Sequence, residues 1–449
     1  MRVIAINRSE EKFARERRQD LQKVHKNLDP SLHPYEKAVE YTRALNAAKL
    51  DRVFAKPFVA AFTHDDGITC LARNLHHLNG LVSGCADGNI HLWDVPARRC
   101  LRKLVGHTGP VKGLAVTPDG DAVVSCSTDC SVRLFRLPFA PFAPGPVQDA
   151  AGAVLEFQGR HAFRGVDHHW TASKFATAGA QVDVWDHERS EPVSSFAWGA
   201  DTVTAVRFNP ADSELLASAA SDRAVALYDL RNAAPVRKLV MQTRTNAIAW
   251  NPMEPMNLTL ASEDCNLYTY DMRRLQSALC VHKDFTSAVM DVDYSPTGRE
   301  FVAGSYDRSL RIFGHTGGRS REVYHTARMQ RVFAARFSGD GAYVFSGSDD
   351  MNVRVWKAQA SAQQGTLLPR EKHKQAYQAA LVERFRHLPE VRRIERHRHL
   401  PAALYKATKV RRAAVDADTR KLKRRKAHSA PGSVEIKPER QKRIVAELE

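Results

Sequence analysis

In 449 residues, 67 Lys+Arg against 50 Asp+Glu leave a net charge of +17, and 43% apolar content is ample for a packed core. No stretch approaches the ~20 apolar residues of a membrane span. Met1-Arg-Val-Ile-Ala-Ile-Asn7 runs into charge rather than a long hydrophobic core, so the chain reads as soluble and intracellular, with neither signal peptide nor transmembrane helix.

Residues 1–60 read as a basic, partly helical arm. A charged helix is expected from Glu10 to Lys26, and a second from His33-Pro-Tyr35 through Leu50, whose Tyr35, Val39, Tyr41, Leu45 and Leu50 give an approximate apolar face. The expectation is an arm that packs along the propeller or a neighbour rather than an independently folded domain.

Seven short phrases follow: Asp87 to Trp93, Asp129 to Phe135, Gly179 to Trp185, Asp222 to Tyr228, Asp264 to Tyr270, Asp307 to Phe313 and Asp350 to Trp356. All but the third, with its Gly, are a turn acid followed by an alternating apolar strand closing on an aromatic. Their first residues lie 42, 50, 43, 42, 43 and 43 apart. A period near 40–45 residues with this ending marks a WD-type propeller with four strands to a blade. The fold class expected is therefore all-β, a seven-bladed WD40 β-propeller over 61–357, with basic, mainly helical N- and C-terminal extensions.

Within the ring, His64, His107, His282 and His325 precede repeats one, two, six and seven. With the turn acids they are expected to form buried hydrogen-bonded sets that tie strands together, not acid–base pairs. The third repeat is worn, and Pro138-Phe-Ala-Pro-Phe-Ala-Pro-Gly-Pro146 before it cannot join a ladder. That loop is a passive connector or a docking loop. Asn209-Pro210, Asn251-Pro252, Ser295 to Gly298 and Ser338 to Gly341 mark hairpin turns. The seven cysteines form no CxxC pair, and Cys130 and Cys265 each follow a turn Asp, so all read as reduced blade or turn thiols.

After Trp356 the period becomes helical. Tyr377, Leu381, Phe385 and Leu388 share one side of a helix that ends by Leu388-Pro389, with a second break at Leu400-Pro401. The stripe is a partner face or lies back on the propeller, leaving Arg384, Arg386, Arg392, Arg393, Arg396 and Arg398 to solvent or phosphate. Residues 358–449 read as a basic helical domain with a tail leaning to disorder.

Charge is segregated. Residues 357–449 hold 24 Lys+Arg against 10 Asp+Glu, residues 1–50 hold 11 against 7, and the ring between is left at −1. A neutral platform with basic arms suits a polyanion. The densest run is Arg420, Lys421, Lys423, Arg424, Arg425 and Lys426, preceded by Lys409, Arg411 and Arg412. Six cations in seven residues repel one another and resist folding alone. They read as a solvated run, a nuclear import signal or an RNA contact, and the last two are compatible. No aromatic interleaves them, so phosphate contact without base reading is the chemistry expected.

Catalytic constellations are missing from the sequence: Gly314-His-Thr-Gly-Gly318 lacks the Lys of a phosphate loop, and no GxSxG, HExxH or CxxC set occurs. Asp65-Asp66 and Asp349-Asp350 are adjacent acids, whose side chains on a strand point to opposite faces. No catalytic residue, cofactor, metal site, membrane contact or small-molecule substrate is expected.

The extensions carry a family resemblance. Asn27 to Pro34, Lys49 to Pro57, Arg328-Met-Gln-Arg-Val-Phe333 with Ser346 to Asp350, Glu371 to Lys374, Glu383 to His387, Arg392 to Pro401, Tyr405-Lys406 and Lys437 to Arg440 together resemble the Sof-type WD-repeat proteins over nearly the whole chain. That resemblance implies a nucleolar, non-catalytic scaffold of the small-subunit processome, working on precursor ribosomal RNA with processome proteins and a box C/D small nucleolar ribonucleoprotein. The worn third repeat and the Ala/Pro loop depart from the family pattern. A second resemblance competes: Tyr228-Asp-Leu-Arg231 and Tyr270-Asp-Met-Arg273 look like the blade-end phrase of substrate receptors of cullin–RING ubiquitin ligases, with Arg231 and Arg273 as adaptor contacts. Alternatively, the Asp and Arg of each phrase close a blade turn by a surface hydrogen bond.

Overall fold

The computed structural model describes residues 29–137, 152–198, 202–232, 235–363, 365–434 and 436–448. The expected Glu10–Lys26 helix and the Pro138–Pro146 loop lie outside the described residues.

Seven antiparallel sheets form the blades. Each has the strand order of the sequence repeat, and the innermost strand of each blade packs on the innermost strand of the next, blade seven on blade one, so the ring closes. Blade seven is completed from far upstream: Phe58–Thr63 pairs antiparallel with Asn352–Lys357. The ring thus takes in residues from Phe58 onward. Close blade packing leaves no room for a side chain at Gly84, Gly304 and Gly347, where a Cβ would stand 2.6–2.9 Å from Cys70 and Val111, from Val332, and from Ile68.

The turn acids earn their recurrence through backbone chemistry. Asp87, Asp129, Asp222, Asp264 and Asp307 each accept from the amide two residues on, at 2.9–3.0 Å. That bond fixes a tight turn whose next residue is left-handed, with φ of 87° at Gly88, 64° at Cys130, 70° at Arg223, 67° at Cys265 and 64° at Arg308. Blade three, lacking the acid, closes instead by a Gly179 N–H to Gln181 carbonyl bond (3.0 Å) and still forms four strands. The Asn turns also bridge blades: Asn74 Nδ2 donates to the Gly120 carbonyl and Asn209 Nδ2 to the Pro255 carbonyl, both at 2.8 Å.

His64 and His107 hold corresponding buried places, but only His107 has a bond to its turn acid among the described residues. His107 meets Asp129 and Ser131 through Nδ1 (both 3.0 Å) and Ser125 through Nε2 (2.8 Å). His64 Nε2 bonds Ser83 (2.7 Å) and lies 3.0 Å from Trp93 Nε1. His282 and His325 do not hold that place. His282 lies inside the outer strand Cys280–Lys283, bonded to the Gly317 carbonyl at 2.6 Å. Buried Phe285 stands where blade six begins, under the Arg311 guanidinium (4.9 Å). His325 stacks on His399 and bonds its carbonyl (3.2 Å). The repeat is two or three residues longer at these two junctions, which shifts the histidines out of place.

By contact the chain divides into two compact units. One joins residues up to 53 with 365–395, the other 54–364 with 396–449. In the first, helix α1 (Glu36–Val53) packs on α2 (Pro369–Phe385), followed by α3 (Pro389–Arg396). Here the structure corrects two expectations. The apolar stripe of α2 lies on α1, with Leu381 buried and Phe385 edge-on to Tyr41 at 6.1 Å. Arg384 pairs with Glu40 and Arg386 with Glu395, both at 3.0 Å, rather than facing solvent or phosphate alone.

Candidate interaction surfaces

Antiparallel blades sort their turns onto two faces. Turns between second and third strands, and the connections between blades, lie on one face, called upper here. Turns between first and second and between third and fourth strands lie on the lower face.

The basic run is helical. Helix α4 (Ala402–Ala427) spans 26 residues, about 39 Å at 1.5 Å per residue. The run, expected to resist folding alone, is here the last two turns of a longer helix built from Ala, Leu, Lys and Arg, all strong helix formers. Arg424, Arg425 and Lys426 also sit at its C-terminal end, where the helix dipole favours cations.

Arg411 parts company with the other cations. Its guanidinium donates to the Phe285 carbonyl, the Asp264 carbonyl (2.8 Å) and Asn266 Oδ1 (3.2 Å), an anchor on the upper face of blades five and six. Leu404, two turns earlier on the same face of the helix, is buried. Lys409, Arg412, Arg420, Lys421, Lys423, Arg424, Arg425 and Lys426 are exposed, and none is ion-paired among the described residues. At 100° per residue the last six cover every side of the helix.

Beyond α4 the chain returns to the same point. Arg443 Nε lies 3.3 Å from Asp264 Oδ2, so the excursion that leaves at Arg411 closes at Arg443 on one residue. Ile444–Leu448 then joins blade four as a fifth strand, antiparallel to Pro235–Met241. Ile444 packs against the cluster of Leu239, Met241 and Tyr270. The tail expected to lean to disorder is therefore a strand; its signal was only Ile444-Val-Ala, too short to read as period two.

Arg231 and Arg273 follow the third strands of blades four and five, on the lower face. Both side chains are about two-thirds exposed, at 66% and 69%. Arg273 forms a two-pronged pair with Asp271 (3.1 and 2.9 Å), which lowers the Asp271 pKa, and Arg231 stands 3.6 Å from Asp212. The corner is closed by Asp, whose carboxylate also takes the amide of the Arg (3.0 Å in both). The guanidinium is free on its outer edge.

The channel wall is fixed by ion pairs. Asp291 accepts from Arg336 (2.7 Å) and the Ala335 amide (2.9 Å), Asp293 from Arg73 (3.0 Å) and the Phe337 amide (2.9 Å), and Asp167 from Arg207 (3.1 Å) and the Phe208 amide (2.7 Å). Desolvation alone would push the Arg336 pKa down, but Asp291 and Asp293 hold it above its ordinary value. These are stays between blades rather than acid–base chemistry.

His64, Cys85 and His91 bring ligand-type atoms within 4.8 Å of one another. Both His64 nitrogens are engaged, Nδ1 with the Phe62 carbonyl and Nε2 with Ser83, and burial pushes the Cys85 thiol pKa up, away from thiolate. The cluster packs blade one and does not fit a metal.

Residues 358–444 match the Sof1-like domain, and 57–94, 98–136, 274–314 and 321–357 match the WD domain, G-beta repeat. The chain is 45% identical over 450 residues to DDB1- and CUL4-associated factor 13 of Xenopus laevis, covering 100% of both chains, and 45% identical over 447 residues to that of Homo sapiens, covering 99% of both. It is 43% identical over 447 residues to Protein SOF1 of Saccharomyces cerevisiae, covering 95% of this chain and 91% of the relative. With the ring, the basic helix and the returning strand in one unit, and likeness over the full length, the chain belongs to the family of WD-repeat proteins that carry a C-terminal Sof1-like domain.

Proposed function

We propose that this protein is a non-catalytic scaffold of ribosome biogenesis, acting in the nucleolar small-subunit processome on precursor ribosomal RNA beside a box C/D ribonucleoprotein. The observation that carries the reading is helix α4: eight exposed cations, not ion-paired among the described residues, on a helix anchored to a near-neutral ring. Such a helix gains affinity for a phosphate backbone by releasing counterions and reads no bases. The same run serves nuclear import.

A second reading concerns the opposite face. The vertebrate relatives are named for association with DDB1 and CUL4. Arg231 and Arg273 offer two exposed guanidinium edges on neighbouring blades, on the face away from α4, so adaptor binding and RNA binding need not compete.

Affinity purification of the tagged full chain, with its RNA sequenced and its proteins identified, tests both. Replacing the eight cations by Gln while keeping Arg411 is expected to strip precursor ribosomal RNA and box C/D guide RNA from the preparation. Undiminished RNA recovery would refute the scaffold reading of α4. Arg231→Ala with Arg273→Ala is expected to remove a ligase adaptor and leave RNA recovery unchanged; adaptor recovery at wild-type level would remove the second reading.

A further inference from the structure

The phrase Arg328-Met-Gln-Arg-Val-Phe333 has no role in α4 or in the Asp-x-Arg corners, yet it builds an exposed aromatic site on the upper face. Phe333 is the second residue of the innermost strand of blade seven, Val332–Phe337. Tyr306 sits on the second–third turn of blade six, its amide bonded to the Ala288 carbonyl (3.1 Å). Their rings meet edge to face, with centroids 5.8 Å apart and planes at 82°. The Arg331 guanidinium lies over the Tyr306 ring at 5.3 Å. Tyr306 remains 37% exposed, where an ordinary core aromatic of this ring is buried.

Phe333 joins this group to the channel mouth. Phe333 lines a cavity of about 150 Å³ that Lys112 and Arg164 also line, from blades two and three. Lys112, Arg164, Arg328 and Arg331 are exposed and not ion-paired among the described residues. The acids nearby are engaged: Asp291 holds Arg336, and Asp307 holds Ser309 and Arg311. Exposed Asp349, on blade seven's own turn, has its amide bonded to the Arg331 carbonyl (3.0 Å), and it is outnumbered by Lys112, Arg164, Arg328 and Arg331.

We infer that Tyr306, Phe333 and Arg331 form a stacking platform for unpaired bases of a single-stranded RNA, whose phosphates run over Lys112 and Arg164 at the channel mouth. An aromatic face beside a stacked guanidinium accepts any base, and flanking cations hold the backbone between stacked positions. A duplex offers no free base face, so the site selects single strands. The inference deepens the RNA reading of the upper face: α4 holds phosphate, and this platform supplies the base contact that α4 lacks.

The test is fluorescence anisotropy of the full chain with three probes: an oligouridylate, an abasic strand of equal length, and an RNA duplex. Tyr306→Leu and Phe333→Leu are each expected to weaken oligouridylate binding about tenfold, within the range for one lost stack, and to leave the other two probes unchanged. Arg331→Gln is expected to weaken oligouridylate binding by less, and as a lost cation to lower affinity for the other two probes slightly. Should Phe333→Leu disturb the fold by circular dichroism, Tyr306→Leu and Arg331→Gln decide alone. Wild-type oligouridylate binding by Tyr306→Leu, or equal wild-type affinity for abasic and oligouridylate strands, overturns the platform. The eight-cation variant is expected to lose affinity for all three probes. If it loses none while Tyr306→Leu still loses oligouridylate, the α4 reading fails and the platform stands. If Tyr306→Leu keeps RNA but loses a processome protein in purification, the site is a protein contact and the inference is wrong.

Discussion

Arg411 and Arg412 are neighbours on one helix with the same charge and, by the geometry, opposite jobs. Arg411→Ala removes three hydrogen bonds from a partly buried guanidinium to Phe285, Asp264 and Asn266. Bonds to charged groups contribute about 1.5–3 kcal/mol each and do not add fully. Docking of α4 should therefore weaken by about 2–4 kcal/mol, which is roughly 30- to 1000-fold in its opening equilibrium at about 1.4 kcal/mol per tenfold. Arg412→Ala, exposed and unpaired, should change docking by less than about 0.5 kcal/mol. Hydrogen exchange reads this directly: amides around Leu404 to Thr408 lose protection in the first variant and not in the second, while ring amides keep theirs in both. RNA titrations against salt give the converse: Arg412→Ala lowers the slope by about one phosphate contact at unchanged helix docking. Equal protection in the two variants would show that Arg411 is not an anchor and would undo the anchored-helix argument.

Acid should unfold the ring in a defined window. Burial lowers the His64, His168 and His282 pKa values to about 4. These groups stay neutral in the fold while the unfolded chain takes up protons at the ordinary value near 6.5, so their contribution is whole above pH 6.5 and falls as pH drops toward 4, by up to about 3 kcal/mol each. Asp129 acts lower down: against its own desolvation, Ser131 and His107 hold its pKa at about 2, so its contribution is lost only below the ordinary carboxylate range. Urea midpoints measured from pH 7 to 4.5 should fall steadily, and a flat profile would refute the buried-neutral assignment. Removing residues 436–449 exposes the Pro235–Met241 edge and the apolar side of Ile444's site, for a loss of about 2 kcal/mol and concentration-dependent self-association by light scattering. A monomeric truncation of unchanged stability would show that the fifth strand is idle.

The ring was legible because its turns repeat. An Asp that must accept an amide two residues on, and an aromatic that must end a buried strand, leave the same letters every 42 or 43 residues, and even the worn third repeat keeps its strand. Junctions were less legible: two or three extra residues move His282 and His325 away from the place that His64 and His107 hold, and in blade six Phe285 fills it without resembling a histidine. The charges of α4 could be counted from sequence, but the division between Arg411 and its eight neighbours could not, since it depends on carbonyls more than 120 residues away. The upper and lower faces likewise emerge only from strand direction, which separates α4 from Arg231 and Arg273. Ile444–Leu448 left the weakest trace, because its pairing partner lies about two hundred residues upstream.

That last separation bears on how the molecule is made. Blade seven needs Phe58–Thr63, translated first, and Asn352–Lys357, translated some three hundred residues later. Blade four waits for Ile444–Leu448, about two hundred residues behind Pro235–Met241, a delay of roughly 10–40 s at about 5–20 residues per second. Through that interval Pro235–Met241 is an outer edge like those of the other blades. Because the basic helix precedes Ile444–Leu448 in the chain, completion of blade four requires that the helix has already left the ribosome.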